Sequence, residues 1–269
     1  MKMLSELYPG VAQDVEIKSI QINSRECSPG DLFVCTMGVT ADRHDFIDDA
    51  IKHGASAIVV SRDVGSRMVP IIKVLDTNRE LPYLCQKFYD YPDQKMKMIG
   101  VTGTDGKTST ATIIQTLIGS DVCGYIGTNG RSCAKFTGDN PNTTPDVHLL
   151  YPYLKEFVDC GCKYVAMEAS SEAFFRGRLQ SFQFDISVYT NITSEHLNIH
   201  GTFENYLQCK LQLFRQTKLD GVCVLNRDDS YFEQVKQACQ GRVVTYGMAD
   251  DCDLRIVDYK VSPRHTLIH

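Results

Sequence analysis

Apolar residues come in short runs, separated by polar stretches with helical spacing. Residues 31–35 (DLFVC), 56–61 (SAIVVS) and 69–74 (VPIIKV) are runs of strand length, which predicts short buried strands. Between the first two, Phe46, Ile47, Ala50 and Ile51 recur at helical spacing and Gly54 supplies a stop. Residues 77–89 read as another helix. Residues 89–95 (YDYPDQK) have turn composition and no apolar periodicity, so a domain boundary is placed there. A second alternation follows. Strands are predicted at 97–103, 163–169, 186–192, 221–226 and 242–247, and helices at 107–118, 146–160, 202–217 and 229–239. The last residues, 252–269, read as two short strands around a Ser-Pro turn, the chain stopping inside the second. Strands alternating with helices predict an α/β fold: a small N-terminal α/β domain over 1–92, then a P-loop-type, doubly wound, mostly parallel sheet over 93–269 that is incomplete at its C-terminal end. Ligands of such sheets bind beyond the carboxyl ends of the strands, which draws Gly103, Glu168 and Asn191 together.

The stretch IGVTGTDGKTST (99–110) resembles a phosphate-binding loop but lacks its first glycine; Val101 stands there. The rest meets each physical need. Gly103 and Gly106 let backbone N–H groups approach an anion, the helix start adds its positive end, Lys107 adds a full charge and Thr108 a hydroxyl for Mg²⁺. The alternative is a strand–turn–helix with incidental glycines. Glu168, at the end of a buried strand, needs a partner: a cation beside the loop or a structural ion pair.

In TFENYLQCKLQLF the apolar stripe is Phe203, Tyr206, Leu207, Leu211 and Phe214, and Lys210 falls in its middle. Desolvation lowers the pKa of such a lysine, and a neutral amine takes up CO₂ to give an anionic, metal-binding carbamate. The alternative is a lysine that snorkels past its neighbours. His196 and His200 are four apart, but Gly201 cuts the helix short and the order is not H-E-x-x-H, which favours one histidine as a ligand over a two-histidine zinc site. In NPNTTPDVHLL, Thr144 reads as an N-cap, Pro145 as the first helical residue and Asp146 as first-turn, leaving Asn142 and Thr143 to face a ligand.

Composition narrows the classes. The net charge of −5 argues against a non-specific nucleic-acid binder, and no apolar run approaches a membrane span. The N-terminus lacks a signal peptide's apolar region, and the eleven cysteines contain no C-x-x-C pair, so a cytoplasmic protein with reduced, core-filling thiols and no structural zinc is expected.

Taken in order, G-T-D-G-K-T, NTTPD, MEASS, TNITSEHLNIHGTFENYLQCK and VLNRDD resemble the Mur ligases. NSRECSPGDLFVC is similar to a segment of their UDP-N-acetylmuramoyl-tripeptide synthetase branch. The resemblance implies an ATP-dependent amide ligase of peptidoglycan synthesis that adds the third amino acid to UDP-MurNAc-L-Ala-D-Glu through an acyl phosphate. It implies a UDP-MurNAc-peptide domain at 1–92, a truncated central ATPase at 93–269 and no C-terminal domain. ATP is then held by Gly103, Thr104, Asp105, Gly106, Lys107, Thr108, Ser109 and Asn191. Mg²⁺, at two sites, is held by Thr108, Glu168, His196 and Lys210 as a carbamate. Lys107, Glu168, His196 and Lys210 are the catalytic residues. Ile22, Ser24, Thr40, Asn142, Thr143, Thr144, Ser170, Arg176 and Arg178 contact UDP-MurNAc-dipeptide, and an amino acid or diamino acid is the other partner of a protein expected to be monomeric. Departures from the pattern are Asn23, Asp105, Glu172, Arg176 and Glu195. Two other readings stay open: a catalytically incomplete fragment that only binds its ligands, and a ligase for another glutamyl carboxylate, against which the NSR…PGDLF segment argues.

Overall fold

The computed structural model describes residues 1–38, 41–193, 195, 197–262 and 266–269. They form two compact units. One comprises Met1–Pro92 with Asp146–Lys155 and Gly177–Ser181; the other comprises Asp93–Pro145, Glu156–Arg176 and Phe182–His269. The two inserted segments depart from a single boundary in sequence. Tertiary hydrogen bonds bind them to the first unit: Tyr151 pairs with Ser181 (2.8 Å), and Gln86 donates to the Ser181 carbonyl (3.4 Å).

The first unit contains a parallel sheet of β1 (Ser19–Gln21), β2 (Asp31–Val34), β3 (Ala57–Val60) and β4 (Ile71–Lys73), in that order, with helices α1 (Ile47–His53) and α2 (Thr77–Phe88). β2 and β3 are buried along their whole length, as parallel strands covered on both faces are. Phe33 and Ile58 pack there against Ile47 and Ala50 of α1. Asp76 caps α2 by accepting from Asn78 N and Arg79 N.

The second unit is built on nine strands: β5 (Lys97–Thr102), β6 (Cys123–Gly127), β7 (Gly130–Cys133), β8 (Phe136–Gly138), β9 (Tyr164–Glu168), β10 (Phe184–Tyr189), β11 (Thr217–Asn226), β12 (Arg242–Gly247) and β13 (Leu254–Arg255). Their order is β8-β7-β6-β9-β5-β10-β11-β12-β13, parallel except for the antiparallel β6-β7-β8 edge. The helices that follow along the chain are α3 (Lys107–Ile118), α4 (Val147–Cys160, whose residues up to Lys155 belong to the first unit), α5 (Ser171–Phe175), α6 (Leu197–His200), α7 (Phe203–Arg215) and α8 (Phe232–Ala238). The antiparallel edge and β6 escape the sequence pattern. β6 reads CGYIG, and two glycines in five residues carry too little side chain to signal a strand, although all five positions are buried. Tyr259–Val261 and Thr266–Ile268 pair antiparallel as the two terminal strands.

β5 lies between β9 and β10, with Glu168 level with Val101 and Tyr189 level with Thr102. The chain leaves β5 toward one side of the sheet and reaches β10 on the other, so a crevice opens at the carboxyl end of β5. Gly100 lets α7 approach this strand: a Cβ there would lie 2.5 Å from Leu213 and 2.9 Å from Phe184. That approach brings Lys210 to the crevice.

Candidate active site

The loop after β5 turns through Gly106 (φ +81°), a left-handed conformation that favours glycine, and α3 starts at Lys107. The first turn of α3 has no side-chain cap and no acidic residue. A lysine stands there instead, so positive charge gathers at the positive end of the helix dipole, an arrangement that favours an anion. Lys107 Nζ donates to the carbonyls of Gly103 (2.9 Å) and Thr104 (2.7 Å). Lys210 Nζ donates to the same Gly103 carbonyl (2.6 Å). Two amines therefore share one acceptor.

Lys210 is only 2% exposed, so the stripe reading holds and the snorkelling one does not. Burial first, and then the Lys107 charge, push its ammonium down to about 7. The Tyr206 ring, 4.6 Å from Nζ, favours the ammonium but does not offset desolvation. Burial likewise lowers Lys107.

Glu168, fully buried, closes the other side. Its Oε1 accepts from Tyr125 Oη (2.6 Å) and Thr128 N (2.9 Å), and its Oε2 accepts from the hydroxyls of Thr108 (2.9 Å) and Thr128 (3.2 Å). Oε2 thus faces only hydroxyls, which can rotate their protons away and offer lone pairs. A carboxylate with hydroxyl oxygens is the donor set of a hard divalent cation, so Thr108 and Glu168 fit Mg²⁺. Tyr125 and Thr128 were not singled out from the sequence, because their strand was not recognised. Tyr125→Phe is expected to remove one of the two bonds to Oε1, leaving that from Thr128 N, and to weaken Mg²⁺ binding at Thr108 and Glu168 roughly tenfold with the fold intact, the size of one hydrogen bond to a charged group. Calorimetric Mg²⁺ titration alongside thermal melting checks it.

Asn191 does not face outward. Its side chain accepts from Asp105 N (3.0 Å) and donates to Asp105 O (3.2 Å), clamping the loop. Asp105 itself and Ser109 are exposed. Thr104 is tied down by Tyr206 Oη (2.9 Å) and by Thr193. The N-cap reading of Thr144 is corrected: α4 begins at Val147, and the Thr144 hydroxyl donates to the Glu168 carbonyl (2.7 Å) and accepts from Ser170 N (3.1 Å). Helix formation loses there to a bond that fixes the strand end carrying Glu168. Thr143 pairs with Thr128 (3.1 Å), Asn142 is exposed, and Ser170 caps α5. Two departures from the expected pattern answer each other, since Arg176 Nε pairs with Glu172 (2.6 Å). His200 is a core histidine, 3.1 Å from Ser171 Oγ and packed between Phe175 and Tyr206. In the first unit, Ile22 and Ser24 are buried just beyond β1, and Arg178 pairs with Asp146. Asn23 caps the turn at Ser24–Glu26. That unit also carries a cleft of about 520 Å³ lined by Arg62, Arg67 and Lys73, which none of the expected substrate residues borders. Thr40 and His196 lie outside the described residues. Among the described residues no cluster of three or more His, Cys, Asp or Glu could hold a metal.

Residues 101–269, more than half of the chain, match the Mur ligase middle domain, and residues 16–95 match the Mur ligase family catalytic domain. The chain belongs to the Mur ligase family. Within that family it is 36% identical to a UDP-N-acetylmuramoyl-L-alanyl-D-glutamate–2,6-diaminopimelate ligase of Geobacillus thermodenitrificans, over 92% of this chain and 52% of the relative. It is 37% identical to UDP-N-acetylmuramyl-tripeptide synthetase 2 of Oceanobacillus iheyensis, over 91% and 51%. A solved structure of a UDP-N-acetylmuramoyl-L-alanyl-D-glutamate–2,6-diaminopimelate ligase superposes with a TM-score of 0.82 at 25% identity, covering 99% of this chain and 57% of that one. The MurF ligase of Thermotoga maritima, solved with ADP, shares the fold (TM-score 0.66, 22% identity, 93% of this chain and 55% of that one). The chain spans about half the length of the curated Mur ligases it matches. No helix among its described residues is long and apolar enough to cross a membrane.

Proposed function

We propose that this chain carries the UDP-substrate and ATP-binding parts of a cytoplasmic ligase that adds a third residue, a diamino acid, to UDP-MurNAc-L-Ala-D-Glu. One observation supports it above the others: Lys107 and Lys210 converge on the Gly103 carbonyl beside the Thr108–Glu168 pair. ATP phosphates bind the loop amides and Lys107. The substrate's terminal carboxylate attacks the γ-phosphorus of ATP, breaking the bond to the β-phosphate, and gives ADP and an acyl phosphate. The incoming amine attacks it, forming the amide and releasing phosphate. Thr108 and Glu168 hold Mg²⁺, which neutralises phosphate charge when bound. The neutral Lys210 amine attacks CO₂ through its lone pair and sheds a proton to water; the resulting carbamate, with His196 and Glu168, would hold a second Mg²⁺ and would supply the charge that offsets the phosphates. Ile22, Ser24, Thr40, Asn142, Thr143, Thr144, Ser170, Arg176 and Arg178 bind the UDP-MurNAc-dipeptide. The protein acts as a monomer and engages neither nucleic acid nor membrane.

Calorimetry should detect binding of both Mg-ADP and UDP-MurNAc-dipeptide. Phosphate release from ATP should depend on a diamino acid once the chain is joined to the C-terminal half of a relative. If neither ligand binds, the reading is wrong. If both bind but the chain releases no phosphate by itself, it is the binding part of a ligase.

A further inference from the structure

The nucleotide loop is gripped by a segment of irregular backbone that follows β10. β10 ends at Tyr189, and residues 190–193 continue as irregular backbone. Thr104 N donates to Asn191 O (2.8 Å), the Thr190 hydroxyl to Asp105 O (2.6 Å) and Thr193 N to the Thr104 hydroxyl (2.9 Å), alongside the Asn191 clamp on Asp105. The loop therefore depends on 190–193 for part of its placement. The sheet holds only the start of that segment, where Thr190 N donates to Thr102 O of β5 (3.1 Å), and Asn191–Thr193 lie beyond it. Further fixing bonds come from Asn226, the last residue of β11, and from the turn between β11 and α8. Asn226 Nδ2 donates to Thr190 O (2.8 Å). The Asp229 carboxylate accepts from Ile192 N at Oδ2 (3.2 Å), and from the Tyr189 hydroxyl and Tyr231 N (2.9 Å) at Oδ1. The preceding Asp228 faces elsewhere, accepting from Met248 N (2.6 Å) and Ala249 N (3.0 Å) beyond β12.

We propose that Asp229 is a positioning residue for nucleotide binding: by anchoring Ile192 and Tyr189 it holds segment 190–193, and through that segment the loop at Thr104 and Asp105. This rests on the nucleotide reading of the loop. A mere turn cap would need only the Oδ1 bond to Tyr231 N, a local side-chain-to-backbone bond two residues on. The second oxygen, aimed at Ile192, is what a cap does not require.

The chemistry offers a selective test. Asp229→Asn is isosteric and keeps an oxygen for Tyr231 and Tyr189, but it turns an N–H₂ group toward the Ile192 N–H, setting donor against donor. Mg-ADP affinity, measured by calorimetry, is expected to fall roughly tenfold, the size of one lost bond to a charged group. Amide exchange at Thr104 and Asp105 should speed up, with the melting temperature little changed. Tyr189→Phe should move both readouts the same way and serves if Asp229→Asn fails to fold. Asp228→Asn should leave both at the wild-type value. Wild-type affinity and wild-type exchange at the loop in Asp229→Asn and Tyr189→Phe would overturn the proposal, as would an equal loss in Asp228→Asn. If wild-type protein binds no nucleotide, the nucleotide reading fails separately, and the exchange rates at Thr104 and Asp105 still decide whether Asp229 positions the loop.

Discussion

Lys210→Ala, made in this chain joined to the C-terminal half of a relative, is expected to abolish ATP-dependent phosphate release, by about three orders of magnitude or more, and added short carboxylates such as acetate are expected to restore part of it. The side chain lies in the apolar face of α7, 2% exposed, with its amine on the Gly103 carbonyl. The effect on a metal-dependent step is large because the carbamate would supply an anion where the chain otherwise offers an amine. A small carboxylate can enter the space the alanine leaves and supply the same charge. A fully active alanine variant would sink the carbamate role, and inactivity without rescue would leave Lys210 acting as an amine.

The same burial gives a pH signature in CO₂-free buffer. Lys210 is lowered to about 7 in the fold, from 10.5 in the unfolded chain. Between those values the unfolded chain binds a proton that the folded one does not, so this residue makes stability rise with pH, by about 1.4 kcal/mol per unit. Below about 7 the full penalty applies. Lys210→Met, which removes the group, should therefore be more stable than wild type near neutrality, and the gap should close as pH climbs toward 10. Denaturant melts of both proteins across that range measure it; parallel curves would mean that Lys210 stays protonated in the fold.

Glu168→Gln is expected to be nearly as damaging, lowering turnover by at least about a hundredfold, on the scale of a lost electrostatic group in a site. The change keeps the shape but removes the charge: the remaining oxygen keeps Tyr125 Oη and Thr128 N, while the amide N–H₂ turns toward the Thr108 and Thr128 hydroxyls, where a cation would otherwise be held. Metal-free ADP should still bind, because the loop amides and Lys107 are untouched, while the dependence of nucleotide affinity on Mg²⁺ should vanish. Calorimetry with and without Mg²⁺ separates the two. An unchanged Mg²⁺ dependence would remove Glu168 from the cation site.

Much of this was legible in the residues. The loop G-T-D-G-K-T announced its own turn and helix, since φ-permissive glycines and a lysine at a helix start have few other uses together. Lys210 stood out because a charge in an apolar stripe breaks the 3.6-residue period. Glu168 stood out as a carboxylate ending an apolar run. Tyr125, Thr128 and Asp229 did not stand out. A tyrosine in a glycine-rich strand and an aspartate in a turn are unremarkable in sequence, and their partners lie 43, 40 and 37 residues away. Thr144 was misread for a related reason: a threonine before Pro-Asp is a good local cap, and only the neighbouring strand end offered it something better.

Sequence by itself determined the α/β alternation, the nucleotide loop and the family, because these rest on local spacing and on the order of motifs along one dimension. Tertiary structure alone decided which carbonyl the two lysines share, which oxygens surround Glu168, what holds residues 190–193, and that 146–155 and 177–181 join the first unit. Those are contacts between segments remote in the chain. Packing and the need to satisfy buried polar groups select them, and neither leaves a periodic trace in the sequence.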